Sequence, residues 1–350
     1  MKLQKINGKY RKPSLRANTK VPFLLWVPLL LILSAPLVAV SLRVKLLQSG
    51  PSPELTLARK HSYKVIAVGD IACGADELNY NDGNGIAGAC QHKAVARAVA
   101  HEQADAVVLL GDIQYPTGLF TDYERSFVPH WRNVTAPIYA VAGNHDYGNG
   151  ARTPTLDGYK QTFDTYFPNA VYEKEGKTYY DFNLGAWKLY VLDSNCVYVG
   201  GCETNSEQGR WLTSKVTATD NICSIAMWHH PVFTSGVHRV GPDTGYGKDF
   251  WRTLNDARSD VVLNGHDHNY ERFAVQDVNG TASSNGMREF VSGTGGHSLR
   301  RVLQPLAPNS EKQIDDQFGY LALELFPGRY TWEFKNTIGD VLDSGEDTCR

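Results

Sequence analysis

Seven residues able to hold a hard or borderline cation recur in this chain, each shortly after an apolar run. Asp70 follows Lys64 to Val68 and Gly69; Asp112 and Tyr115 follow Ala106 to Leu110 and Gly111. Asn144 follows Ile138 to Val141 and Gly143, with His145 and Asp146 beside it. His229 closes the run Ile222 to Trp228, and His266 and His268 follow Val261 to Asn264 and Gly265. Side chains at i and i+2 of an extended chain project to one side, so His266 and His268 can enter one pocket. One Gly-Asp pair is explained equally well by a turn, and an isolated His-x-His by two solvated rings. The same arrangement at five successive strand ends exceeds what turn chemistry delivers. Carboxylate, amide oxygen and imidazole without thiolate suit hard-to-borderline ions. Two such ions repel, and a carboxylate shared between them offsets the repulsion. Ions about 3.5–4 Å apart clamp the attacking and leaving oxygens of a phosphoryl displacement, and they acidify a water that supplies hydroxide. No Gly-x-Ser-x-Gly or Walker-type loop occurs, so neither a serine nucleophile nor a nucleotide cradle competes with this reading.

The elements that must position these groups are legible in outline. Continuous apolar runs interspersed with helical patterns predict strands buried on both faces. The spacing of Val95, Ala98 and Val99 predicts an amphipathic helix over 91–104. Tyr179 to Leu184 and Trp187 to Leu192 predict a hairpin-like pair, and Phe290-Val291, Tyr320 to Leu325 and Tyr330 to Phe334 a β-rich tail. A strand's carboxyl end is where open α/β sheets place their ligands. At 350 residues and 42% hydrophobic composition the chain can bury a large core, and its net charge of -2 gives no basic field for nucleic acid.

The ordered set Gly69-Asp70, Gly111-Asp112, Gly143-Asn144-His145-Asp146, His229-x-Pro231 and Gly265-His266-Asp267-His268 resembles the calcineurin-like metallophosphoesterases. Tyr115, three residues after Asp112, and the run Gly265 to Arg272 bring it near the purple acid phosphatases, with Asn269 in place of that group's alanine. The likeness covers roughly residues 62–330. It implies an α/β fold in four layers, with two packed mixed sheets flanked by helices. It implies a ferric ion on Asp70, Asp112, Tyr115 and His268, and a divalent ion (Fe2+, Zn2+ or Mn2+) on Asp112, Asn144, His229 and His266. His145 matches a histidine that faces substrate; its alternative role is support through Asp146. His238 matches a pocket histidine and is the candidate general acid, although Val237 stands where mammalian members carry a glutamate. His230 is expected to face solvent, Tyr270, Glu271 and Arg272 to brace their loop, and His61, His92, His101, His130 and His297 to be surface or core residues. The expected activity is hydrolysis of small phosphate monoesters, with a phosphodiesterase or nucleotidase, or a non-catalytic tethered binding protein, as alternatives.

The N-terminus is a separate object. Residues 1–20 are basic and 21–42 are uncharged and apolar, near the roughly 20 residues that cross a bilayer. The positive excess upstream predicts a signal anchor with the remainder exported, a cleavable signal peptide being the rival. Residues 43–60 read as a tether and 61–350 as the catalytic domain. Six cysteines allow 15 pairings. The expected ones are Cys73–Cys90, Cys196–Cys202 and Cys223–Cys349, as an exported protein permits.

Overall fold

A computed structural model describes residues 62–148, 155–220, 222–241 and 245–350. The expected basic segment, anchor and tether lie outside the described residues. Among the described residues no helix is long and apolar enough to cross a membrane.

The apolar runs form strands where their period demands it. They are β1 (Tyr63–Val68), β2 (Ala106–Leu110), β3 (Ile138–Val141), β4 (Tyr180–Leu184) and β5 (Trp187–Val191). Next come β6 (Cys223–Met227), β7 (Val261–Asn264), β8 (Tyr270–Phe273) and β9 (Arg288–Ser292). The chain ends with β10 (Ser310–Ile314), β11 (Gly319–Phe326), β12 (Arg329–Asn336) and β13 (Val341–Thr348). The strands build two sheets, ordered β13-β12-β11-β1-β2-β3 and β10-β8-β9-β7-β6-β5-β4. Within them β1, β2 and β3 run parallel, as do β5, β6, β7 and β9.

Alternation within each strand divides the core. Val65, Ala67, Val108 and Leu110 point between the sheets, where they meet Leu189, Ile225 and Leu263. Ile66, Val68, Val107 and Leu109 point outward instead, beneath α1 (His92–His101) and α2 (Asp157–Tyr166). The opposite outer face packs Tyr190, Ala226 and Val262 against α3 (Glu207–Thr217) and α4 (Lys248–Asp256). The result is helices, sheet, sheet, helices. Both faces of the central strands are covered, and that is why those strands read as unbroken apolar runs. The predicted helix over 91–104 is shorter, and β10 and β13 are strands that the sequence reading did not anticipate.

All three expected disulfides form: Cys73–Cys90, Cys196–Cys202 and Cys223–Cys349. The last fastens the end of the chain to the start of β6.

Candidate metal centre

The carboxyl ends of β1, β2 and β3 in one sheet meet those of β6 and β7 in the other. Backbone bonds stitch the seam: Gly69 N donates to Ser292 O at 2.9 Å and Gly295 N to Gly69 O at 2.9 Å. His266 N donates across the seam to Asp70 Oδ2 at 2.8 Å. The chain must turn sharply here, and three of the predicted ligands adopt left-handed backbone, Asp70 at φ 61°, Asp112 at 50° and His266 at 70°. Non-glycine residues seldom occupy this region except where surrounding structure enforces it, as at functional sites. The preceding glycines serve mainly close approach. A Cβ on Gly143 would lie 2.2 Å from Asp112 N, and one on Gly265 2.8 Å from Asp70 Oδ2.

The predicted side chains converge. The Tyr115 hydroxyl lies 2.9 Å from Asp70 Oδ1, 2.9 Å from Asp112 Oδ2 and 3.1 Å from His268 Nε2. Asp112 Oδ2 is also 3.2 Å from His229 Nε2, whose ring lies 3.3 Å from His266 Nδ1. Asp112 therefore stands between two clusters, Asp70, Tyr115 and His268 on one side and His229 and His266 on the other. Asn144 follows β3 with its Oδ1 buried and unpartnered, and His266 Nε2 is likewise buried without a partner.

These contacts hold too many lone pairs for the protons available. A phenol has one proton, yet Tyr115 faces three acceptors. His229 Nδ1 lies 2.8 Å from Leu110 O, and a carbonyl only accepts, so Nδ1 carries the proton. In the neutral ring Nε2 then turns a lone pair on Asp112. His268 is held by its second nitrogen too, its Nδ1 being 2.7 Å from Ser298 Oγ, a hydroxyl able to accept the ring proton. Metal-ligating histidines are held in this manner by their second nitrogen. The donor set and its surplus of lone pairs fit cations at this seam.

Within the protein alone, the charge that balances these carboxylates falls on His229. Burial opposes ionisation of Asp112, but His229, His145 and His266 outweigh it and hold the carboxyl well below its usual range. Burial raises Asp70 to about 7, against the pull of His229. His229 is opposed by burial too, yet Asp112 carries it up to about 10. Burial pushes His266 and His268 well down, reinforced by His230 at the first and by Arg300 at the second.

Around this centre, His145 donates through Nδ1 to Pro116 O at 2.6 Å, which leaves Nε2 4.0 Å from Asp112 Oδ2. Asp146 accepts from Ile113 N, Gly143 N and the Tyr123 hydroxyl, tying the loops after β2 and β3 together. The ring of His238 lies 4.1 Å from that of His266. Glu271 braces the 232–238 loop through Ser235 N at 2.7 Å, and Tyr270 and Arg272 both bond Asp343. His230 is corrected: it is only 2% exposed, with Nδ1 2.8 Å from Ser194 Oγ, because the apolar strand context carries past His229. His297 is no bystander either, since its ring stacks on Tyr115 at 3.6 Å. Of the remaining histidines, His92 is buried, His130 half-buried and His101 exposed, and His61 lies outside the described residues. Ser298 and Arg300 were not singled out from sequence. The only sequence signal near them is the Gly295-Gly296 pair ahead of His297, which lies far from every ligand motif.

A model of the calcineurin-like phosphoesterases matches residues 63–270, and the chain belongs to that family of metal-dependent phosphoester hydrolases. Within it the likeness is to purple acid phosphatases. The chain is 26% identical over 199 residues to purple acid phosphatase 15 of Arabidopsis thaliana, covering 49% of this chain and 36% of that protein. It is 25% identical over 256 residues to tartrate-resistant acid phosphatase type 5 of Mus musculus, covering 67% and 73%. A purple acid phosphatase from yellow lupin (Lupinus luteus) seeds has the same fold, with TM-score 0.65 and 20% identity over 82% of this chain and 54% of that one. The match thus spans about a third of the Arabidopsis protein and about half of the lupin one. The purple acid phosphatases, to which the chain is similar, carry a dinuclear metal centre.

Proposed function

We propose that this chain is an exported acid phosphatase that hydrolyses small phosphate monoesters at a two-metal site. Asp70, Asp112, Tyr115 and His268 would hold a ferric ion, and Asp112, Asn144, His229 and His266 a divalent one. The bound pair would neutralise phosphate charge and acidify the attacking water. The protein's own part is geometric and protonic. Asp112 is pinned through Oδ1, which accepts His145 N at 2.8 Å, leaving Oδ2 for the shared position. His145 holds its Nδ1 proton on Pro116, so any proton it gives the departing alcohol must come from Nε2. Export and anchoring through residues 21–42 are part of the same reading. Three closed disulfides support it, since such bonds persist in oxidising compartments.

The observation that carries the reading is the crowding of acceptors on Tyr115 and Asp112. Metal analysis of the purified protein, with turnover of p-nitrophenyl phosphate and its bis-ester before and after chelation, tests it. Two ions per chain and chelator-sensitive monoester hydrolysis are expected. Asp112→Asn should lower kcat/KM by about a thousandfold or more and reduce metal content. A metal-loaded protein that cleaves neither ester would end the proposal.

A further inference from the structure

Arg300 stands at the rim of the metal centre without a carboxylate partner among the described residues, unlike the half-buried Arg272 and Arg288. Arg272 pairs with Asp343 and Arg288 with Asp347. Arg300 instead spends one donor on an imidazole, its Nη1 lying 2.8 Å from His238 Nε2. Its backbone is fixed as well, with Arg300 N donating to His268 O at 3.0 Å. The residue is thus tethered through its backbone and its side chain beside two of the predicted metal ligands, since His238 also packs on His266 at 4.1 Å.

The chemistry of this contact is one-directional. A guanidinium has five N–H donors and no acceptor, so His238 Nε2 must be the acceptor and carries no proton. His238 is then neutral with its proton on Nδ1. In this arrangement Nε2 cannot protonate a leaving group, so the contact opposes the general-acid role expected for His238. A half-buried arginine with spare donors and no anion of its own is a receptor awaiting one.

We propose that Arg300 is a substrate-binding residue that donates to a phosphate oxygen of the ester, and that His238 is the positioning residue that aims it. This rests on the reading of the site as a phosphatase. The oxygen has two possible sources, the phosphoryl group being cleaved or a second phosphate on the leaving group.

Metal-loaded Arg300→Gln, Arg300→Lys, His238→Leu and His238→Gln are compared with wild type, once metal content is shown to match. Inorganic phosphate binding by calorimetry needs no turnover, so it tests Arg300 even if the hydrolase reading fails. Loss of one charge-assisted bond predicts phosphate affinity about tenfold to a hundredfold weaker in Arg300→Gln, with a smaller loss in Arg300→Lys. KM should rise by a similar factor, with kcat less affected. An equal rise for p-nitrophenyl phosphate and adenosine diphosphate places the contact on the cleaved group; a rise confined to the diphosphate places it on the second phosphate. His238→Leu should reproduce the KM defect, and His238→Gln, whose amide oxygen still accepts from Arg300, should restore it. Phosphate affinity and both KM values within twofold of wild type in Arg300→Gln would overturn the assignment. So would equal collapse of kcat in both His238 variants with loss of the alkaline limb of the pH–rate profile, since His238 would then be the proton donor.

Discussion

At the scale of single residues, Tyr115 separates the proposed centre from other two-metal arrangements. Burial pushes its phenol well above the ordinary value, and the neighbouring Asp112 and Asp70 push it further. A group so reluctant to ionise becomes a ligand only under a strongly polarising ion, which favours a trivalent over a divalent cation at Asp70, Tyr115 and His268. Removing the hydroxyl therefore has a spectral consequence beyond any effect on rate. Wild type loaded with iron should show a visible phenolate-to-iron band, and Tyr115→Phe should lose it while the ion at His229 and His266 is retained. An unchanged visible spectrum in Tyr115→Phe would remove this tyrosine from the ligand set.

At the scale of elements, the segment 232–238 is held over the centre by three buried carboxylates as well as by Phe233, which packs on Trp251. Glu289 accepts Val232 N at 3.0 Å, Glu271 accepts Ser235 N, and Asp267 accepts the Thr234 hydroxyl at 2.6 Å and His238 N at 3.2 Å. Asp267 lies between His266 and His268, so one turn carries two predicted ligands and the hook for the loop that bears His238. Charge-assisted bonds of this kind contribute about 1.5–3 kcal/mol. Asp267→Asn should raise KM about tenfold, and Thr234→Val should do so less. Because both act through one contact, the double variant should be little worse than Asp267→Asn alone. Additive losses would mean that the two residues support the loop separately. Strand ends and their ligands could be read from sequence because a local pattern, an apolar run followed by glycine and a donor, carries them. The hook could not, since Asp267 meets Thr234 and His238 only after a helix and a strand have been placed between them. Arg300 was hidden for the same reason, lying 62 positions from His238. The left-handed backbone at Asp70, Asp112 and His266 leaves no mark in the sequence, because the glycine before each already explains a turn. At the tail, β13 alternates exposed and half-buried residues at a sheet edge, which leaves no hydrophobic period to detect.

At the scale of the whole molecule, the two sheets place their parallel strand ends at one seam, so the site depends on the sheets keeping their relative position. Only a few backbone and side-chain bonds cross that seam near the ligands, and the apolar layer between the sheets does most of the holding. Cys223–Cys349 bears on this because the strand it anchors, β6, leads straight to His229, while the residues before Cys349 form β13 at the far edge of the other sheet. The bridge thus spans both sheets and closes a sequence separation of 126 residues. A loop of that length is entropically expensive to close in the unfolded chain, and such a bond contributes about 2–4 kcal/mol. Replacing both cysteines by serine should lower the unfolding free energy by about that amount in denaturant titrations. Substituting Cys196 and Cys202, whose bridge lies within one loop at a separation of 6, should cost less. Reductant should erase the difference between wild type and the Cys223/Cys349 variant. If the two proteins already match under oxidising conditions, the bridge does not stabilise the sheet pair, and the packed apolar layer alone holds the five strand ends in register.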